Sequence, residues 1–175
     1  MARFAEYDPR TAGHNDETVT VRPAVPGDAA AIVAVDATRE PRPASHLARV
    51  AGQLARSDAV AVVAEAGGVV IGSSSVTIWQ GHADAPIGWY VSGITVVPQW
   101  RRRHVAHRML EAELATMDAT GATTWSVVNA TNRASLDLHA QHGFHEVARS
   151  ATFAGLVFTG GCGIMLRRRA PRTRT

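Results

Sequence analysis

Apolar positions along the chain follow two spacings, alternate and helical, and the changes between them mark out its elements. Val19 and Val21 alternate with polar neighbours over Thr18–Arg22, which predicts a first strand. Pro26-Gly27-Asp28 supplies a turn and a helix N-cap, and Ile32, Val33 and Val35 carry a first helix toward Thr38. Pro41 and Pro43 interrupt it, and Leu47, Val50 and Leu54 predict a second helix from Ala44 to Arg56. Two apolar runs, Ala59–Ala66 and Val69–Trp79, flank Gly67-Gly68, a hairpin signal. After a loop from Gly81 to Pro86, Ile87–Val97 reads as a third long strand. An Arg-rich turn then precedes a helix from about His104 to Ala119, with Ala106, Leu110, Leu114 and Met117 as its apolar stripe and Gly121 closing it. Thr124–Asn129 reads as a strand and Ala134–His142 as a short helix ended by Gly143. His145–Phe153 and Gly163–Arg168 supply two last strands. The order β-α-α-β-β-β-α-β-α-β-β predicts a mixed α/β domain over residues 18–168, between a loose polar arm (1–17) and a basic tail (169–175).

Composition narrows the class. At 175 residues the chain has room for one domain, and 46% hydrophobic with 19% charged residues is ordinary for a globular protein. The longest apolar run, Ala29–Val35, is seven residues, far short of the roughly twenty that a membrane span needs. The N-terminus has no apolar stretch of a secretory signal, and Cys162 is the single cysteine, so an internal disulfide and a cysteine-built zinc site are excluded and a cytoplasmic protein is expected.

Charge changes the picture only once it is located. All 18 basic residues are arginines, and five of them fall in the last nine positions. Without that stretch, 13 arginines face 15 carboxylates, and a further three arginines sit together at 101–103. The body is mildly acidic, with one basic spot and one basic tail, unlike the spread basic face of a nucleic-acid binder.

That basic spot carries the chemistry. Ile94-Thr95-Val96-Val97-Pro98-Gln99-Trp100-Arg101-Arg102-Arg103-His104-Val105-Ala106 is a strand leaving the sheet, a basic turn and the start of an amphipathic helix. Free N–H groups at a helix N-terminus, with arginines beside them, suit a phosphorylated ligand. A solvated basic loop is the plainer reading of the same residues. A Walker loop and a dinucleotide fingerprint both fail, because the turn holds no glycine and no Lys-Ser/Thr pair.

The segment resembles the acyl-CoA motif of GNAT acetyltransferases, Gln/Arg-x-x-Gly-x-Gly/Ala, matching at Arg101 and Ala106 and departing at His104, where glycine is usual. About thirty residues later, Asn132-Arg133-Ala134-Ser135-Leu136-Asp137-Leu138-His139-Ala140-Gln141-His142-Gly143-Phe144 resembles the family's second signature, with His139 where tyrosine is common. The resemblance implies a mixed central sheet with a splayed parallel strand pair and flanking helices, acetyl-CoA as co-substrate and, frequently, a homodimer. It assigns the cofactor to Ile94, Thr95, Val96, Arg101, Arg102, Arg103, His104, Val105, Ala106, Asn132 and Ser135. Asn132 is equally a helix N-cap.

His139 takes the place from which the family's tyrosine meets the sulfur, so it is the candidate acid for the departing thiolate; a packed helix histidine is the alternative. No carboxylate stands at Ser92-Gly93, where many members carry one, which leaves water, Glu40 or Asp84 as base. Cys162 pairs with no base and reads as a small strand residue. The histidines, including His104/His107 and the run His139, His142 and His145, form no expected metal site.

Trp79, Trp89, Tyr90, Asn129, Phe153 and Phe158 fall where the acceptor pocket of such a fold is built, although aromatics there also serve as core. Trp89-Tyr90-Val91-Ser92-Gly93, the Leu138-His139 pair and Phe158-Thr159-Gly160-Gly161 together resemble small bacterial antibiotic-resistance acetyltransferases, the aminoglycoside and kasugamycin-modifying enzymes among them. An N-acetyltransferase acting on a small-molecule amine, an aminoglycoside first, is therefore expected. A metabolite amine, a protein N-terminus, or a non-catalytic acyl-CoA-binding module are the alternatives.

Overall fold

The computed structural model describes Phe4, Tyr7 and residues 13–171; the rest of the expected arm, and residues 172–175 of the tail, lie outside the described residues. The elements are β1 (Val19–Pro23), α1 (Ala29–Ala37), α2 (His46–Leu54), β2 (Ala59–Ala66), β3 (Val69–Trp79), β4 (Gly88–Val96), α3 (Val105–Thr120), β5 (Thr124–Asn129), α4 (Arg133–Gln141), β6 (His145–Ser150), β7 (Thr152–Phe153), β8 (Leu156–Val157) and β9 (Gly163–Arg168). Seven strands form one sheet in the order β1-β2-β3-β4-β5-β9-β6, while β7 and β8 pair separately as a small hairpin. The stretch read as one strand to Phe153 is thus broken after Ser150. From there the chain leaves the sheet and returns at β9.

Adjacent serines of β3 show where the helices lie. Ser73 reaches Asp36 of α1 and Ser74 donates to Glu113 of α3 at 2.8 Å. Side chains one residue apart in a strand point to opposite faces, so α1 and α3 cover opposite faces of the sheet. α3 and α4 share the larger core, where Leu110, Leu114 and Met117 meet Val76, Val91, Val128, Leu138, Phe144, Ile164 and Leu166. Val105 and Met109 turn toward Val19, Val62, Ala64 and Ile71. On α2 the inward residues are His46 and Val50; Leu47 is 46% exposed. The polar His46 is admitted because its ring bonds Asp36, which leaves Leu47 facing solvent.

Two irregularities of β4 open the sheet. Opposite β3, Ser75 pairs with Gly93 and Val76 with Val91, which leaves Ser92 as the extra residue of a β-bulge. The bulge shifts the alternation by one, so that Val91 and Ile94, three apart, both pack into the α3 side of the core. On its other edge β4 runs parallel to β5 for only Trp89↔Thr124, Tyr90↔Trp125 and Val91↔Ser126. Beyond that point the two strands separate, and β5 continues paired to β9 alone.

Glu113 lies fully buried in α3, with one carboxyl oxygen bonded to Ser74 and the other without a partner. Burial pushes its carboxyl well above the ordinary 4.5. Between pH 4.5 and that raised value the folded protein holds a proton that the unfolded chain has released. Its stability is full below about pH 4.5 and declines as pH rises toward the folded value. Glu113→Gln keeps an acceptor for Ser74 and removes that cost. Thermal melts should show the variant more stable at pH 8, by about 2–4 °C per kcal/mol, with the gain vanishing near pH 4.5. A loss of equal size at every pH would contradict the buried neutral acid.

Candidate active site

The separation of β4 from β5 opens a cavity of about 820 Å³. Its walls are the edges of both strands beyond Val91 and Ser126, the turn before α3, one face of α4 and the β8 hairpin, with Phe4, Tyr7 and Gly13 of the N-terminal segment alongside. Backbone groups of a strand without a partner strand need other hydrogen-bonding partners, so the wedge is a ready mould for an extended amide-bearing ligand. Ile94, Thr95 and Val96 line it on the β4 side.

At the head of the wedge the chain passes through a short 3-10 turn, Pro98–Trp100, into the arginines. Arg102 (φ 64°) and His104 (φ 54°) are both left-handed, a conformation uncommon outside glycine and costing about 1–2 kcal/mol for such residues. The position read as a departure from glycine thus keeps glycine's backbone shape with a histidine in it. This conformation delivers the N-terminus of α3 to the cavity, where Arg101, Arg102, His104, Val105 and Ala106 form the wall. Arg101 also donates to the Val96 carbonyl at 3.2 Å. Arg103, expected beside them, does not line the cavity. Asp16 holds it at 2.8 Å and its guanidinium lies over the Trp100 ring. The segment before β1 is anchored here: the His14 N–H donates to the Arg102 carbonyl, and Arg108 donates to the Asp16 carbonyl.

From the other side, Asn132 caps α4 by accepting the Ser135 N–H at 3.2 Å, and both residues line the cavity. His139 lines it too, 2% exposed, with its ring edge-on to Phe144. Its Nδ1 donates to the Ser135 carbonyl at 2.7 Å, and its Nε2 is buried without a partner. Burial pushes its pKa down to about 4. The ring is therefore neutral at physiological pH, with its proton turned into the helix and a lone pair on Nε2. In this state Nε2 accepts rather than donates.

The candidate bases also fall elsewhere: Glu40 pairs with Arg42, and Asp84 accepts the Ala154 N–H. The polar groups nearest the bulge are the joined hydroxyls of Thr77 and Ser92. Of the acceptor residues, Asn129, Trp79 and Phe158 line the cavity, whereas Trp89, Tyr90 and Phe153 do not. Tyr90 is fully buried, stacked on Trp79 at 4.0 Å, with its hydroxyl donating to the Pro86 carbonyl. Phe153 packs behind Phe158 at 3% exposure, and Trp89 packs against the main core. Tyr90 of β4 and Phe153 of β7 meet in one buried cluster, and no local signal distinguishes a core aromatic from a cavity aromatic.

The reading from sequence missed Arg39, Ser126 and His107, which also line the cavity. His107 meets His142 at 3.1 Å and His104 at 5.1 Å between ring centres, and burial lowers the pKa of both His107 and His142. Among the described residues no group of three or more His, Cys, Asp or Glu is arranged to hold a metal ion, and no helix is long and apolar enough to cross a membrane. Cys162 is half-buried, with its thiol against the Gly163 carbonyl.

A wedge between parallel strands, closed at one end by a basic helix N-terminus, is the geometry the sequence motifs anticipated, and residues 30–144 match the model of the Acetyltransferase (GNAT) family. The chain belongs to that family. No curated protein matches the sequence. Among solved structures, this GNAT chain superposes on yncA of Salmonella typhimurium, determined with its cofactor acetyl-CoA (TM-score 0.72, 20% identity, 91% of this chain and 98% of that one). A phosphinothricin acetyltransferase from Sinorhizobium meliloti in complex with AcCoA gives TM-score 0.71 at 19% identity, over 87% and 89%. The ribosomal-protein-S18-alanine N-acetyltransferase of Escherichia coli gives 0.69 at 17%, over 89% and 96%. Acetyl-CoA fits this GNAT cavity as co-substrate, and the walls offer arginines and a helix N-terminus at one end and an open strand edge along its length.

The state of His139 predicts the pH behaviour. No inflection from this ring is expected in the rate between pH 5.5 and 8. His139→Phe, which keeps an aromatic ring beside Phe144, should retain turnover within about tenfold, since general-acid help is typically worth a hundredfold or more. A loss beyond a hundredfold, with a descending limb near pH 6.5, would return the acid to His139.

Proposed function

We propose that this acetyltransferase moves the acetyl group of acetyl-CoA to the primary amine of a small molecule. The observation that carries the proposal is the wedge past Val91, with Arg101, Arg102 and the α3 N-terminus at one end and the Trp79–Phe158 side at the other. The acetyl group belongs near the bulge at Ser92, where both halves of the cavity meet. A carbon–nitrogen bond forms as the carbon–sulfur bond breaks. An ammonium acceptor sheds one proton before attack and a second on forming the amide, and the thiolate takes up one. With Glu40 and Asp84 engaged elsewhere, water beside the Thr77–Ser92 hydroxyls is the base in this scheme, and solvent supplies the sulfur's proton.

Within that reading, the aromatic Trp79 and Phe158 support an amino sugar, while charge opposes a polycationic one. The lining offers Asp137 as carboxylate against Arg39, Arg101 and Arg102, and Asp137 already accepts from Gln141. A small amine of low positive charge suits these walls better than an aminoglycoside.

Release of CoA thiol from acetyl-CoA, followed against a panel of metabolite amines, aminoglycosides including kasugamycin, and N-terminal peptides, tests the proposal. Turnover should be highest with a small amine. Binding of acetyl-CoA with no thiol release from any member would leave a binding module instead. For the cofactor end, Arg101→Ala and Arg102→Ala should weaken acetyl-CoA about tenfold or more and acetyl-pantetheine much less, consistent with lost charge-assisted hydrogen bonds. Arg103→Ala, held by Asp16, should change both little. Equal weakening of the two ligands by Arg102→Ala would move the phosphates away from this turn.

A further inference from the structure

Among the described residues, six arginines pair with carboxylates: Arg22 with Asp28 and Glu65, Arg42 with Glu40, Arg56 with Asp58, Arg103 with Asp16, Arg149 with Glu146, Arg168 with Asp118. Arg39 is not one of them. It stands just past the end of α1, half-buried in the cavity wall, and among the described residues no carboxylate pairs with it. Its neighbour in sequence, Glu40, is turned to Arg42.

The placement of Arg39 is built rather than incidental. Asp36, one helical turn earlier, bonds the buried His46 of α2 at 2.9 Å and faces the Ser73 hydroxyl of β3 at 3.5 Å. Arg49 donates to the other ring nitrogen of His46, so His46 directs its proton to Asp36. The network ties α1, α2 and β3 together immediately beneath the bend that carries Arg39. α1 covers the face of the sheet opposite α3, so Arg39 reaches the wedge from the side away from the helix whose N-terminus suits the phosphates.

A guanidinium held in a partly dehydrated wall, with no countercharge, is completed by a carboxylate or a similar planar anion that accepts two parallel hydrogen bonds. We infer that Arg39 binds an anionic group of the acceptor itself, and that the acceptor is an aminocarboxylate: a free amino acid or a close relative, carrying its amine to the thioester while its carboxylate rests on Arg39. The inference rests on the proposed transfer to a small-molecule amine and narrows it. A protein N-terminus lacks the α-carboxylate, and an aminoglycoside lacks any.

The test uses the 175-residue chain with saturating acetyl-CoA. Thiol release is measured for the twenty amino acids and for the carboxamide of each, and the ratio of kcat/KM between acid and amide is read. The wild type should favour the acid of its preferred pair by about tenfold or more, the worth of a charge-assisted hydrogen bond. In Arg39→Ala the ratio should collapse toward one, and Arg39→Lys should recover part of it. Titration with acetyl-CoA verifies that each variant is folded and loaded. A ratio near one in the wild type, a preference for aminoglycosides or peptide N-termini, or a ratio preserved in Arg39→Ala overturns the inference while leaving amine acetylation standing. Weakened acetyl-CoA binding in Arg39→Ala, with the ratio unchanged, would assign Arg39 to the co-substrate. Absence of thiol release from every amine, with acetyl-CoA bound, overturns the transfer reading and this inference together.

Discussion

The interruption of pairing between β4 and β5 is the constraint on which the rest of the molecule depends. Backbone amides and carbonyls taken out of a sheet must be satisfied by something else. Here the unpaired edge follows directly on a β-bulge at Ser92 and on Gly93, whose φ of 156° is one that side-chain-bearing residues rarely adopt. The bulge keeps Val91 and Ile94 in the same core while the strand bends away, so the opening costs no apolar burial. A sheet that stayed paired along its length would have no wedge, and the arginine turn would border ordinary surface.

Burial governs the charge of two groups, His139 on the cavity wall and Glu113 inside α3. His139 is neutral because desolvation outweighs its hydrogen bond to the Ser135 carbonyl, and Glu113 holds its proton to higher pH because a single serine cannot compensate a dehydrated carboxylate. At the head of the wedge, strain and charge coincide: two left-handed non-glycine residues, Arg102 and His104, deliver the helix N-terminus and its arginines to one place. Asp16 pairs with Arg103, which leaves Arg101 and Arg102 on the cavity wall.

Much of the architecture was legible in the pattern of residues. The hairpin strands Ala59–Ala66 and Val69–Trp79 and the strand Thr124–Asn129 appear with the ends the apolar runs predicted, because turn glycines and polar residues punctuate them. The two motifs placed Ile94–Val96, Arg101, Arg102, His104–Ala106, Asn132, Ser135 and His139 around one cavity. What failed was the choice between sides of a partly buried element. Leu47 follows helical spacing yet faces solvent, because His46 finds Asp36 across the helix pair. Tyr90 and Phe153 look like pocket aromatics by position yet stack into the sheet's other core with Trp79, Trp125 and Met165.

By itself, then, the sequence determined most of the order of elements, the family resemblance and the basic turn before α3, all of which depend on residues close together in the chain. Turn chemistry, periodicity and capping are local, and a reader of local signals recovers them. Only the tertiary structure decided the protonation of His139, the engagement of Arg103 by Asp16, the shift of register at Ser92 and the exposure of Arg39 to the cavity. Each of those depends on partners distant along the chain, whose burial and charge exist only once the sheet has brought them together.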